Sequence, residues 1–166
     1  GHELENELFW KGLYNGWEKY SMRIWVELSA NAKVIFDIGS NTGIYSLVAK
    51  ANNNTASVHA FEPFGAVHKK LAHNAAINGY DIYCNCTAIS NYTGDAVIYT
   101  ADKDFAYSVT VNQNLWVIDS EPIKIDIKTV TLKDYIEQHN IKSIDLMKID
   151  VETHEPEVME GFAEYF

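Results

Sequence analysis

From Lys33 onward, short apolar runs alternate with stretches in which apolar residues recur at helical spacing. "KVIFDI" reads as a first strand over Lys33 to Ile38, followed by a helix from about Gly43 to Lys50. "ASVHAFEP" is a second strand. In "AVHKKLAHNAAIN", Val67, Leu71 and Ala75 fall on one helical face, and Gly79 stops the helix. "IYCNCTAIS" reads as a third strand. "AVIYT" and "IKIDIKTV" are two further strands joined by a polar, Asn-rich segment. Thr131 to Asp134 has the spacing of a capping box for the helix "LKDYIEQHN". "SIDLMKIDVE" is the fourth core strand, and Pro156 suits the first turn of a last helix, "PEVMEGFAEYF". Strands alternating with helices of this length predict an α/β fold, a Rossmann-like three-layer sandwich with a mostly parallel sheet.

Residues 1–32 are expected to form a separate, aromatic-rich helical segment in which Gly12 and Gly16 weaken the middle. Gly1-His2 has the look of a tag remnant. Residues 33–166 would be the domain that carries the chemistry.

Composition removes several alternatives. The 166 residues, 47% hydrophobic, suffice for one domain with a real core. A net charge of −10 argues against a nucleic-acid binder that works through a basic field. The sequence holds no apolar stretch long enough to span a bilayer and no signal-peptide pattern. Cys84 and Cys86, two apart, share a strand face and do not suit a disulfide with each other, which fits a reducing cytoplasm.

Chemistry-bearing residues gather at the carboxyl ends of the predicted strands, where open parallel sheets bind ligands. After strand one, "DIGSNTG" spaces its glycines G-x-x-x-G, so the nicotinamide fingerprint G-x-G-x-x-G is absent, as is a Walker lysine. Gly39 would let backbone approach a ligand closely, and Gly43 would permit tight packing where the next helix starts. Asp37 offers a carboxylate to a cationic group and would repel pyrophosphate, which points to an ammonium or sulfonium ligand. Glu62, ending strand two, can accept two hydrogen bonds from a ribose diol. Phe64 either lies against an adenine or belongs to the core. Lys148 and Asp150 share one face of strand four, either as a buried pair near Asp37 or in a catalytic role. His154 is the first candidate for general base, because a base near neutrality can take a proton from a hydroxyl with little bias. His59, His68, His73 and His139 show no metal-ligand spacing. Asp150, Glu152 and Glu155, the remaining acids near strand four's end, leave a divalent ion as an alternative, although no metal is predicted.

The blocks "VIFDIGSNTGIYSLVAK", "VHAFEPFGAVHKKLAHNAAING", "TAIS" with "GDAVIYT", and "IDLMKIDVETHEPEVMEGF" resemble the FkbM-type methyltransferases in order and spacing. The resemblance runs from about Lys33 to Phe162. It implies a class I enzyme that uses S-adenosylmethionine to methylate a hydroxyl on a sugar, glycan or natural product. It also implies that Asp37, Gly39, Asn41 and Gly43 line the methionine part of the cofactor, that Glu62 holds the ribose, and that Ala88 and Ile89 border the adenine. The family's "DVEGHE" here reads "DVETHE". A loop that needs glycine at Thr153 would have to differ in this chain. A class I sheet has further strands beyond strand four, so the sequence predicts truncation after the fourth core strand. That edge would then be covered by further chain or by a second copy. Two rival functions stand beside this one: a nucleotide- or nicotinamide-dependent oxidoreductase, and a catalytically inactive Rossmann-like binding module.

Overall fold

The structure is a computed structural model that describes residues 6, 9–16, 18–100, 121 and 123–165. In chain order its elements are helix α1 (Lys19–Ser29), strand β1 (Val34–Ile38), helix α2 (Ile44–Asn52), strand β2 (Ser57–Phe61) and helix α3 (Gly65–Ile77). Strands β3 (Ile82–Asn85), β4 (Ala88–Ile89), β5 (Gly94–Thr100) and β6 (Ile123–Val130) follow. Helix α4 (Leu132–Gln138), strand β7 (Leu146–Ile149), helix α5 (Glu155–Glu160) and a 3-10 turn (Ala163–Tyr165) complete the order.

The central sheet is parallel, in the order β3-β2-β1-β7. The sequence's fourth core strand, β7, therefore lies beside β1 and ends the row. Alternation along β1 sends its side chains to two layers. Ile35 packs with Met22 and Trp25 of α1 and Ala49 of α2. Phe36 and Ile38 pack with Leu132, Tyr135 and Ile136 of α4 and Val158 of α5. Side chains of this size each contribute roughly 1.5–3 kcal/mol when fully buried. Helices thus cover both faces of the sheet, which is the Rossmann-like α/β arrangement the periodicity predicts.

Two expectations are corrected. The run Ile82 to Ser90 is not one strand: β3 belongs to the central sheet, while β4 pairs in parallel with β6 in a second, three-stranded sheet. The physical cause lies between them. The Asn85 carbonyl accepts from Glu62 N–H at 3.0 Å and closes the ladder with β2, and the Thr87 hydroxyl then donates to the Lys128 carbonyl at 2.9 Å. In that second sheet β5 and β6 form an antiparallel ribbon. Ile98 and Ile127 attach the ribbon to Phe64 and Val67 at the start of α3. The Asn-rich connection between β5 and β6 lies largely outside the described residues.

At the N-terminus, the glycines break the helix rather than weaken it. Residues 9–11 are helical, Gly12 takes φ +72°, and regular helix resumes only at Lys19. The Thr131 cap forms as expected, its hydroxyl accepting from Asp134 N–H at 3.0 Å. The reciprocal half of the box is relayed. The Thr131 N–H donates to the Thr93 hydroxyl, which in turn donates to the Asp134 carboxylate.

Candidate functional site

A cleft enclosing about 1060 Å³, open mouth included, lies at the carboxyl ends of β1, β2 and β7. The glycine loop forms its floor. Gly39 and Ser40 both donate backbone N–H to the Phe61 carbonyl at 3.0 Å, tying the loop to the end of β2. Gly39, Asn41 and Gly43 take φ of +74°, +50° and +92°. Glycine supplies two of these left-handed positions, and Asn is among the side chains that tolerate one. Gly39 serves the chain itself: a Cβ there would sit 1.9 Å from the Asp150 carbonyl oxygen. At Gly43 a Cβ would meet Leu71 at 2.4 Å, so this glycine permits the close packing of α2's start on α3.

Asp37 lies beneath the cleft floor rather than on its wall. It is fully buried, and its Oδ2 accepts from the Ser46 N–H at 3.1 Å and the Ser46 hydroxyl at 2.7 Å. Gly43, the N-cap of α2, has no side chain to cap with, and Asp37 reaches across from β1 to do so. Lys148 stands 3.6 Å from Oδ1, as the register demands, because Asp37 and Lys148 are paired neighbours on one face of the sheet. Burial raises the Asp37 carboxyl above the usual range, against the lowering pull of Lys148. Phe64 also sits behind the wall, in the cluster with Val67, Ile98 and Ile127, which is the core alternative for that residue.

Glu62 does line the cleft. Its Oε2 accepts from Asn41 N–H at 3.0 Å and its Oε1 from Phe64 N–H at 2.9 Å. Each oxygen is oriented by one backbone donor and keeps further acceptor capacity. Burial raises this carboxyl to about 7, while the two N–H donors hold it down. Ala88 and Ile89 border the same cavity.

At the β7 end, Lys148 is a hub. Its ammonium is 3.3 Å from Asp150, 3.5 Å from the Gly39 carbonyl and 4.9 Å from the centre of the Tyr45 ring. The Asp150 side chain is 59% exposed. His154 faces the cleft with its Nε2 hydrogen-bonded to the Ser90 hydroxyl at 3.0 Å, while Glu157, 3.4 Å from Nδ1, makes no hydrogen bond to it. Thr153 does not spare the loop its conformation: it takes φ +75°, directly after Glu152 at +52°. The left-handed turn survives on a β-branched residue.

Sequence reasoning missed several wall residues, among them Ser40, Tyr45 and Glu18. Ser40 is buried on the wall, its hydroxyl without a hydrogen-bond partner. Tyr45, in the first turn of α2, donates its hydroxyl to Glu18, which precedes α1 and also lines the cleft. The N-terminal segment, which adds nothing to the motifs, therefore contributes to the site. Only the apolar spacing of α1 hinted at this docking. Among the described residues, no group of three or more His, Cys, Asp or Glu is placed to hold a metal ion. None of the described helices is long and apolar enough to cross a membrane.

A glycine loop on a central parallel strand, facing an acid at the end of the next, places the domain in the Rossmann-like class of α/β folds. The model for the methyltransferase FkbM domain matches residues 37–166, and the chain belongs to that family. It is 28% identical over 155 residues to the 31-O-demethyl-FK506 methyltransferase FkbM of Streptomyces tacrolimicus, a match covering 77% of this chain and 58% of that protein. Methyltransferase sdnD of Sordaria araneosa is 27% identical over 156 residues, 78% of this chain and 60% of its own. The hexuronic acid methyltransferase AglP of Haloferax volcanii is 25% identical over 144 residues, 87% of this chain and 56% of its own. The chain thus spans less than two thirds of the length of these relatives. No solved structure matches it.

Proposed function

We propose that this chain binds S-adenosylmethionine in the cleft and takes part in methyl transfer to a hydroxyl of a small-molecule or glycan acceptor. One observation carries the reading: the Glu62 carboxylate, pinned by two backbone donors, lines the cleft beside Ala88 and Ile89. A carboxylate held in this way is suited to a vicinal diol. The buried, unpartnered Ser40 hydroxyl supplies a second polar contact that water or a ligand would satisfy. Glu62 would hold the ribose, Ala88 and Ile89 the adenine, and the Gly39–Asn41 stretch the methionine part. When bound, the cofactor supplies a methyl group on a positively charged sulfur.

The remaining work belongs to this chain's own residues. The acceptor hydroxyl must lose its proton, and the contacts favour Asp150 over His154 for taking it. Asp150 is more than half exposed at the cleft, so its carboxylate can meet an acceptor hydroxyl while keeping its 3.3 Å contact with Lys148. His154 would first have to release the Ser90 hydroxyl from its Nε2. Calorimetric titration with S-adenosylmethionine and with NAD tests the cofactor. Tighter binding of NAD would return the oxidoreductase reading to first place. Methyl transfer from labelled cofactor to a panel of hydroxylated acceptors tests the reaction. Binding without transfer to any of them would favour the inactive binding module.

A further inference from the structure

From sequence, the cationic end of the ligand belongs to Asp37, but that carboxylate is buried and committed to Ser46 and Lys148. Another acid stands where Asp37 was expected to act. Glu18 lines the cleft from outside the region that the family match covers. Its carboxylate is held by the hydroxyl of Tyr45, two residues beyond Gly43. Tyr45 is itself fixed: its carbonyl accepts from Trp25 Nε1 at 2.9 Å, and its ring meets the Trp25 ring edge-on at 5.4 Å. The other acids on the wall are placed differently. Glu62 is engaged by two backbone donors at the end of β2, Asp150 is paired with Lys148, and Glu152 is exposed on the left-handed turn.

We propose that Glu18, held by Tyr45, receives the α-ammonium group of the cofactor's amino-acid part. This rests on the reading of the cleft as an S-adenosylmethionine site and adds to it a positioning element from the N-terminal segment. One carboxylate oxygen accepts from the phenol, which leaves this lining carboxylate further acceptor capacity for an ammonium donor in the cleft. A charge-assisted hydrogen bond of this kind is about twice as strong as a neutral one.

The test uses two ligands that share the adenosine and a neutral sulfur and differ in the amino-acid part: S-adenosylhomocysteine and 5′-methylthioadenosine. Calorimetry on Glu18→Gln should give a roughly tenfold or greater loss of affinity for the first and none for the second. Tyr45→Phe, which keeps the ring and removes the latch, should show a smaller loss with the same selectivity. Retained 5′-methylthioadenosine binding reports that each variant is folded. Equal losses for both ligands, or none, would overturn the inference, as would selectivity that appears in Asp150→Asn and not in Glu18→Gln. Wild-type protein that binds neither ligand would instead overturn the cofactor reading on which it rests.

Discussion

The carbonyl oxygen of Asp150 occupies the space that a Cβ on Gly39 would need, at 1.9 Å. The glycine loop and the end of β7 are therefore in backbone contact, and the two halves of the cleft cannot separate without breaking that fit. Gly39→Ala should cost about 2–5 kcal/mol, through the clash and through φ +74°. A denaturant titration that leaves the midpoint unchanged would contradict this account of the loop.

Glu62 predicts a pH dependence for binding. Its carboxyl, raised to about 7 by burial, accepts hydroxyl donors best when ionised. Ligand binding should therefore strengthen as pH rises from 6 to 8, by up to about tenfold per unit below the midpoint. Titration with 5′-methylthioadenosine, which lacks groups of its own that ionise in this range, isolates the effect. In Glu62→Gln the slope should vanish. For folding the sign is opposite. A carboxyl raised above its unfolded value contributes stability that is fully present below about 4.5 and is lost as pH climbs through about 7.

His59 makes the protein sensitive to acid. Its ring is buried between Ser57 and the Tyr135 hydroxyl and stacked on Tyr83 at 4.5 Å. Burial, with a lesser contribution from His139, lowers it to about 4. A histidine lowered in the folded state contributes stability that is present above about 6.5 and is lost as pH falls toward 4. His59→Gln should flatten the melting temperature across that window. An equally steep decline in the variant would assign the acid sensitivity elsewhere.

Thr153 holds φ +75° at a cost that glycine would not incur. Thr153→Gly should raise stability by about 1 kcal/mol, the left-handed penalty being partly offset by glycine's greater freedom when unfolded. Chemical denaturation measures it directly. A lower midpoint would mean that the threonine side chain makes contacts worth more than the strain.

The parts of this fold that were legible from sequence are those written in period and capping chemistry. Ile35, Phe36 and Ile38 announce a doubly buried strand, Val67, Leu71 and Ala75 a helix face, and Thr131 a cap. The Lys148–Asp37 pairing was within reach because a fourth strand beside the first brings them onto one face. The split between β3 and β4 was not, because Cys86 and Thr87 carry no turn signal and the strand changes sheet through a hydrogen bond to Lys128, far along the chain. Glu18 was hidden for a similar reason. Nothing local marks an acid whose partner, Tyr45, lies 27 residues away and reaches the cleft only when α1 docks.

The pairing of β7 with β1 also has a consequence in time. Lys148 reaches the Gly39 carbonyl across 109 positions of sequence. A ribosome that has made everything up to α4 has made a buried carboxylate at Asp37 without its counter-charge, and a glycine loop without the backbone it leans on. Closing so long a loop is slow compared with forming the local helices. The cleft is consequently completed late in synthesis, only after β7 has emerged to pair with β1.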